Sequence, residues 1–264
     1  MSDGPLHTQR GMAESFGADP ERYDRVRPRY PDELISAIVN ASPGADVLDV
    51  GTGTGIVARQ LIAAGCRVTG VDVDERMAGF ARAHGVTVEV AQFETWDAAG
   101  RSFDAVVAGQ TWHWIDHEVG AAKAASVLRA GGLLALFWNV TTPPENVRHA
   151  LSAVYREVLG GYDPWAVPMV AAYDRHLDEI ATKLAADDAF GDPWRLRYDW
   201  ARSCTTAEWL EQLESGGDAA AMPAGAMGRL RAGIGDALDG LGGTFAVDVA
   251  AMAVLARRGE DAAR

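Results

Sequence analysis

The stretch VLDVGTGTGIVARQLIAAGCRVTGVDVD, Val47 to Asp74, limits the fold more than any other part of the chain. Two short apolar runs flank a turn in which Gly51, Gly53 and Gly55 alternate with threonine. The residues that follow, IVARQLIAAG, repeat their apolar positions at helical spacing and stop at Gly65, a residue suited to a C-terminal cap. A strand, a tight turn, a helix and a second strand in that order make a parallel pair, because parallel strands need a connecting crossover.

The same rhythm continues on both sides. PDELISAIVNAS, from Pro31, reads as a helix with Leu34, Ile35 and Ile38 on its apolar face. DERMAGFARAHG is a helix bounded by Asp74 and Gly85, and VTVEV is a third strand. FDAVVAG, Phe103 to Gly109, and GLLALFWN, Gly132 to Asn139, are buried strands with a helix between them. WRLRYDWARSC and TFAVDVAAMAVLARR bring the strands to seven, with a helix after a cap at Thr205 or Thr206. The expected fold is α/β: a doubly wound, mainly parallel seven-stranded sheet with helices on both faces and the ligand beyond the carboxyl ends of the strands. One domain is expected, with a flexible tail over 1–20, a cofactor-binding core over 44–139, and helical insertions over about 140–193 and 205–240 that cover the ligand edge.

With 37 acidic against 24 basic residues, the chain carries a formal charge of −13 and would repel a phosphate backbone, so nucleic acid is not the expected partner. Two cysteines, Cys66 and Cys204, suit a reducing, cytoplasmic setting. No apolar run reaches the length of a membrane span. Oligomeric state is left open.

A dinucleotide fingerprint would place glycine or alanine five residues after Gly51, where this chain has Ile56. Asp49, two residues before the turn, would oppose a pyrophosphate but attract an ammonium or a sulfonium. Asp72, at the end of the next strand, suits the two hydroxyls of a ribose. A ligand with a ribose and a positive charge, and no required phosphate, describes S-adenosylmethionine.

VLDVGTGTG together with VTGVDVD resembles the class I S-adenosylmethionine-dependent methyltransferases. ERYDRVRPRYP, Glu21 to Pro31, FDAVVAGQTWHWID and LRAGGLLALFWN are similar to segments of a small-molecule subgroup that includes trans-aconitate-methyltransferase-like proteins. The resemblance runs from about 20 to 260 and implies a Rossmann-like fold. It also implies that Gly51, Thr52 and Gly53 let the backbone approach the methionine and ribose, with Asp49 near the ammonium and Asp72 on the ribose. Val73 would lie against the adenine, and Gln92, where the family commonly has Asp, would accept from the adenine amino group. Phe93 would offer a backbone N–H and an aromatic face, and Gln110 would line the methionine end. Arg27 would pair with the ligand carboxylate and Tyr23 would cover it.

The substrate would face Trp112, His113 and Trp114, together with Trp138 and Asn139. His113 reads either as a general base during methyl transfer, or as a residue that caps the following helix or packs between Trp112 and Trp114 to shape an apolar floor. His113 and His117 stand four apart without acids at ligand spacing, so no metal is expected. The expected activity is methylation of a small organic molecule at O, N or C by one-step displacement. The alternatives are a non-methylating use of the same cofactor, such as cyclisation, and methylation of nucleic acid. Against the last, AGQTWHW stands where amino-methylating enzymes carry an Asn/Asp-Pro-Pro-Tyr/Phe run.

Overall fold

The computed structural model describes residues 16–215 and 222–260. Among the described residues, the first two α-helices are α1 (Pro20–Val26) and α2 (Asp32–Ala41). The alternating core follows as β1 (Asp46–Val50), α3 (Ile56–Ala63), β2 (Arg67–Asp72), α4 (Glu75–Ala83), β3 (Thr87–Val90), β4 (Phe103–Gly109), α5 (His117–Val127) and β5 (Leu128–Thr142). Then come α6 (Glu145–Val158), α7 (Met169–Ala185), β6 (Trp194–Thr205), α8 (Thr206–Glu214), α9 (Ala226–Gly240) and β7 (Thr244–Arg257). The seven strands form one sheet in the order β3-β2-β1-β4-β5-β7-β6, parallel except for β7, which runs antiparallel to both β5 and β6. This is the Rossmann-like α/β fold.

Side-chain alternation divides the core into two layers. Ala105 and Val107 of β4, Leu133, Ala135 and Phe137 of β5, and Ala251, Ala253 and Leu255 of β7 point to the face covered by α2, α3 and α4. Their neighbours Val106, Ala108, Leu134, Leu136, Trp138, Met252 and Val254 point to the face covered by α5 and α7. Strands buried on both faces must be apolar throughout, which is why they read as unbroken runs rather than alternating ones. On α2, Leu34, Ile35 and Ile38 are buried, the stripe its spacing predicts.

The beginning of β7 and the end of β6 overhang the sheet beyond Thr142, the last residue of β5. Val247 and Cys204 on this overhang join Val147 and Leu151 of α6, Trp209 and Leu210 of α8, and Leu230, Ile234 and Leu238 of α9 in a separate apolar cluster. That cluster stands over the carboxyl ends of the parallel strands. A capping box holds the start of α8, with the Thr205 side chain accepting from the Glu208 N–H and Glu208 accepting from the Thr205 N–H.

Two expectations change. The 140–193 stretch is not all cover: Leu177, Ile180 and Leu184 of α7 lie in the main core under the sheet, while α6, with Leu159 and Trp165 after it, joins the overhanging cluster. The expected tail lies outside the described residues through position 15, but Phe16–Ala18 already form a 3-10 turn and Asp19 caps α1. Among the described residues, no helix is long and apolar enough to cross a membrane.

Candidate functional site

The β1–α3 turn is built on positive φ angles, +65° at Gly51 and +56° at Gly53. Glycine adopts these without the steric cost a side chain meets. The Gly51 N–H donates to the Val71 carbonyl at 2.8 Å, which folds the turn back over β2. The Gly53 N–H donates to Asp72 Oδ2 at 2.7 Å, and the Asp74 N–H to Asp72 Oδ1 at 2.9 Å, so Asp72 joins the glycine turn to the end of β2. The Thr111 hydroxyl donates to the carbonyls of Gly51 (3.2 Å) and Gly109 (3.1 Å), tying the turn to the end of β4. A methyl on Gly51 would overlap the Thr111 side chain. Gly51→Ala is therefore expected to destabilise the protein by about 2 kcal/mol through overpacking, measured by urea unfolding; an unchanged midpoint would show that the turn can relax.

Asp49 is fully buried, and its Oδ2 has no hydrogen-bond partner within the protein. Burial, and next the negative charge of Asp72, hold the Asp49 carboxyl well above the usual carboxylate range. Burial likewise raises Asp72. Two buried carboxylates beside one turn, one with an unmet oxygen, form a site whose energy falls when a cationic group arrives.

A cleft opens over this turn, lined by Tyr23, Arg27, Tyr30, Gly51, Thr52, Gly53, Gln110, Thr111, Asn139 and Gln212 among others. Its near wall is the segment from α1 to α2. Asp24 is buried between Arg29 (2.9 Å) and Arg59 of α3, and both arginines help hold its carboxyl below the usual range despite burial. The backbone of Tyr30 exchanges two hydrogen bonds with the Gln60 side chain, at 3.1 and 2.8 Å. Arg27 lies over the Tyr23 ring at 4.9 Å and donates to the Ser215 carbonyl at 3.0 Å, while Arg22 pairs with Glu214 at 3.0 Å. Thus α1 is fastened to α3 below and to the end of α8 above.

The remaining predicted residues divide. Gln110 sits at φ +56°, unusual for a side-chain-bearing residue, with its Nε2 donating to the Asn139 carbonyl at 2.9 Å. Val73 is exposed at the end of β2, and Gln92 caps the 3-10 turn Phe93–Thr95 next to it. Phe93 offers no aromatic face to a ligand: its ring is in the core beside Trp112, 6.4 Å between centroids. Trp112 and Trp138 are also core residues rather than walls, each almost wholly buried beneath the sheet. Close packing against Gly120 and Ile115 turns Trp112 inward.

The Trp138 indole N–H donates to His113 Nδ1 at 3.2 Å. With Nδ1 an acceptor, the neutral ring carries its proton on Nε2 and presents a donor. Burial, with His176 and His117 nearby, lowers the His113 pKa to about 4. The ring is thus held neutral by the core and has no lone pair to spare at Nδ1, which removes the general-base reading. Trp114 is half-buried, its ring 5.0 Å from His113. Asn139 reaches the cleft from β5, and its Nδ2 donates to the Arg29 carbonyl at 3.2 Å. Sequence reasoning missed Asp24, Tyr30, Gln60 and Thr111; only the apolar Tyr30 within RPRYP marked a residue turned inward. Among the described residues, no cluster of three or more His, Cys, Asp or Glu is placed to hold a metal.

Residues 47–132 match a methyltransferase-domain family. Uncharacterized methyltransferases of Mycobacterium bovis and Mycobacterium tuberculosis are each 29% identical over 211 residues, 79% of this chain and 79% of theirs. The ubiquinone biosynthesis O-methyltransferase of Sinorhizobium medicae is 31% identical over 130 residues, 47% of this chain and 46% of its own. A solved structure from Anaeromyxobacter dehalogenans shares the fold with a TM-score of 0.60 at 23% identity, covering 88% of this chain and 97% of that one. Over residues 47–132 the chain carries a methyltransferase domain, and over most of its length it is similar to methyltransferases. Its methyltransferase domain makes it an enzyme.

Proposed function

We propose that the enzyme methylates a small organic molecule in the cytoplasm, without nucleic acid or membrane as partner. The observation that carries this reading is the enclosure of the cleft: α1 is latched to α8 by Arg22–Glu214 and Arg27–Ser215, and Gln212 joins the lining. A cleft bordered by helices tied together in this way suits a molecule that fits inside. The net charge of −13 supports the same reading against nucleic acid. The Sinorhizobium relative acts in ubiquinone biosynthesis by its name, and its match spans only about half of this chain, so it supports the class of reaction and not the methylated atom.

S-adenosylmethionine, when bound, supplies an electrophilic methyl group on a positively charged sulfur. The unmet, buried Asp49 oxygen fits that charge or the ammonium beside it. Asp72 would accept from the ribose, and the Gly51-Thr52-Gly53 backbone leaves room for the methionine and ribose. Val73 and Gln92 would flank the adenine, with Phe93 contributing its backbone N–H only. Arg27 and Tyr23 would hold the carboxylate end and Gln110 the methionine chain. Asn139, Trp114 and the Nε2–H of His113 would bound the substrate. These groups bind, orient and exclude water; alignment alone supplies much of the rate for a one-step displacement.

Incubation with methyl-labelled S-adenosylmethionine and a cell extract split by size tests the reading. Label is expected in the fraction below about 1 kDa, the range of small organic substrates. Label confined to protein or nucleic acid would overturn it.

A further inference from the structure

Asn139 is 7% exposed, lines the cleft, and leaves its side-chain oxygen without a hydrogen-bond partner in the protein. A buried amide oxygen left unmet costs roughly 1–3 kcal/mol, so such an atom in a ligand cleft calls for a donor. Its orientation is fixed by its other half. Nδ2 donates to the Arg29 carbonyl, and exchanging the two amide atoms would set one acceptor against another. Arg29 is itself held, by its ion pair to Asp24 and by the two bonds between Tyr30 and Gln60. Next to Asn139, Gln110 is kept at positive φ with its own amide spent on the Asn139 carbonyl. The acceptor is therefore aimed by groups on three elements.

We infer that Asn139 Oδ1 receives a hydrogen bond from the methyl acceptor, and that this substrate is an amine bearing an N–H. The inference rests on the methyltransferase cleft described above and adds the class of nucleophile. An amide accepts a hydrogen bond but takes no proton at neutral pH, and no His, Asp or Glu is among the residues lining the cleft. An alcohol would need a base to become nucleophilic; a neutral amine already has a lone pair. With its N–H on Asn139, the nitrogen lone pair attacks the methyl carbon as the carbon–sulfur bond breaks and its electron pair stays on sulfur. The nitrogen gains the positive charge and then loses its N–H proton to water.

Calorimetry on the full chain loaded with S-adenosylhomocysteine tests the acceptor, using aniline against N,N-dimethylaniline, which has no N–H. The wild type should prefer aniline about tenfold, Asn139→Asp should keep the preference, and Asn139→Leu should lose it while binding S-adenosylhomocysteine normally. No preference in the wild type, or one that survives in Asn139→Leu, overturns the inference. So does a loss of S-adenosylhomocysteine affinity in both variants, which would assign Asn139 to the cofactor. If the wild type itself fails to bind S-adenosylhomocysteine, the cofactor-site reading falls first. In a second arm, methyl label from S-adenosylmethionine is expected in a pool of aryl and alkyl amines; label in the matching alcohols, or in neither pool, overturns the amine assignment.

Discussion

At pH 7, Asp49→Asn is expected to bind S-adenosylmethionine roughly a hundredfold more weakly than wild type, the worth of one buried charge-assisted contact, yet to melt at a higher temperature without ligand. The two effects have one cause. Asp49 is buried with an unmet oxygen and Asp72 nearby, so its folded pKa lies above the unfolded one. A carboxyl raised in this way favours the protonated folded state. Wild-type stability contributed by this group is therefore greatest at low pH and declines as pH rises from the ordinary carboxylate range through the raised value. Asparagine keeps the shape and removes the charge, so the gain should be about 3 °C at pH 7, corresponding to about 1 kcal/mol in a domain of this size, and should vanish near pH 3. Melting curves across pH and ligand titration check both halves. A variant that melts lower and binds the cofactor normally would remove Asp49 from the binding account.

His113 should make the protein sensitive to mild acid. Its pKa falls from 6.5 unfolded to about 4 folded because burial, and then the neighbouring His176 and His117, oppose the charged ring. A depressed histidine stabilises the fold above the unfolded pKa and loses that contribution as pH drops toward the folded one. The window is thus pH 6.5 to 4, and the loss is on the order of 3 kcal/mol. Burial lowers His176 as well, so the comparison that isolates His113 is His113→Gln, whose side-chain oxygen can still accept from the Trp138 indole. Urea unfolding at pH 7.5 and 4.5 should show the variant losing much less stability than wild type over that interval. Equal losses would show that protonation elsewhere governs acid unfolding.

Most of the sheet was legible because the physics there is local. The runs Ala105 to Gly109 and Gly132 to Trp138 are apolar without interruption, and glycines mark the turns between elements. The destination of an amphipathic helix is not local. The stripe of α7 says that one face is buried, and nothing in its spacing says that the partner is the sheet rather than a cover over the cleft. Trp112 and Phe93 were misplaced for a related reason: both follow strand ends that face the ligand edge, but the turns after β3 and β4 send their rings back into the core. The acids at the glycine turn could be read because Asp49 and Asp72 sit at fixed distances from Gly51. Asn139 as an oriented acceptor could not, since its partner Arg29 lies 110 residues earlier. Asp24, within a run of arginines that reads as solvated surface, becomes buried only when Arg59 of α3 closes on it.

The position of β7 has a consequence for synthesis. It is the last of the seven strands to leave the ribosome, yet it lies between β5 and β6 and pairs with both. A nascent chain halted between Thr142 and Thr244 exposes the unpaired backbone edge of β5, whose residues from Leu133 to Trp138 are apolar. Such an edge is a template for pairing with other chains. Interrupted translation should therefore yield material for chaperones and proteases rather than a partly working enzyme.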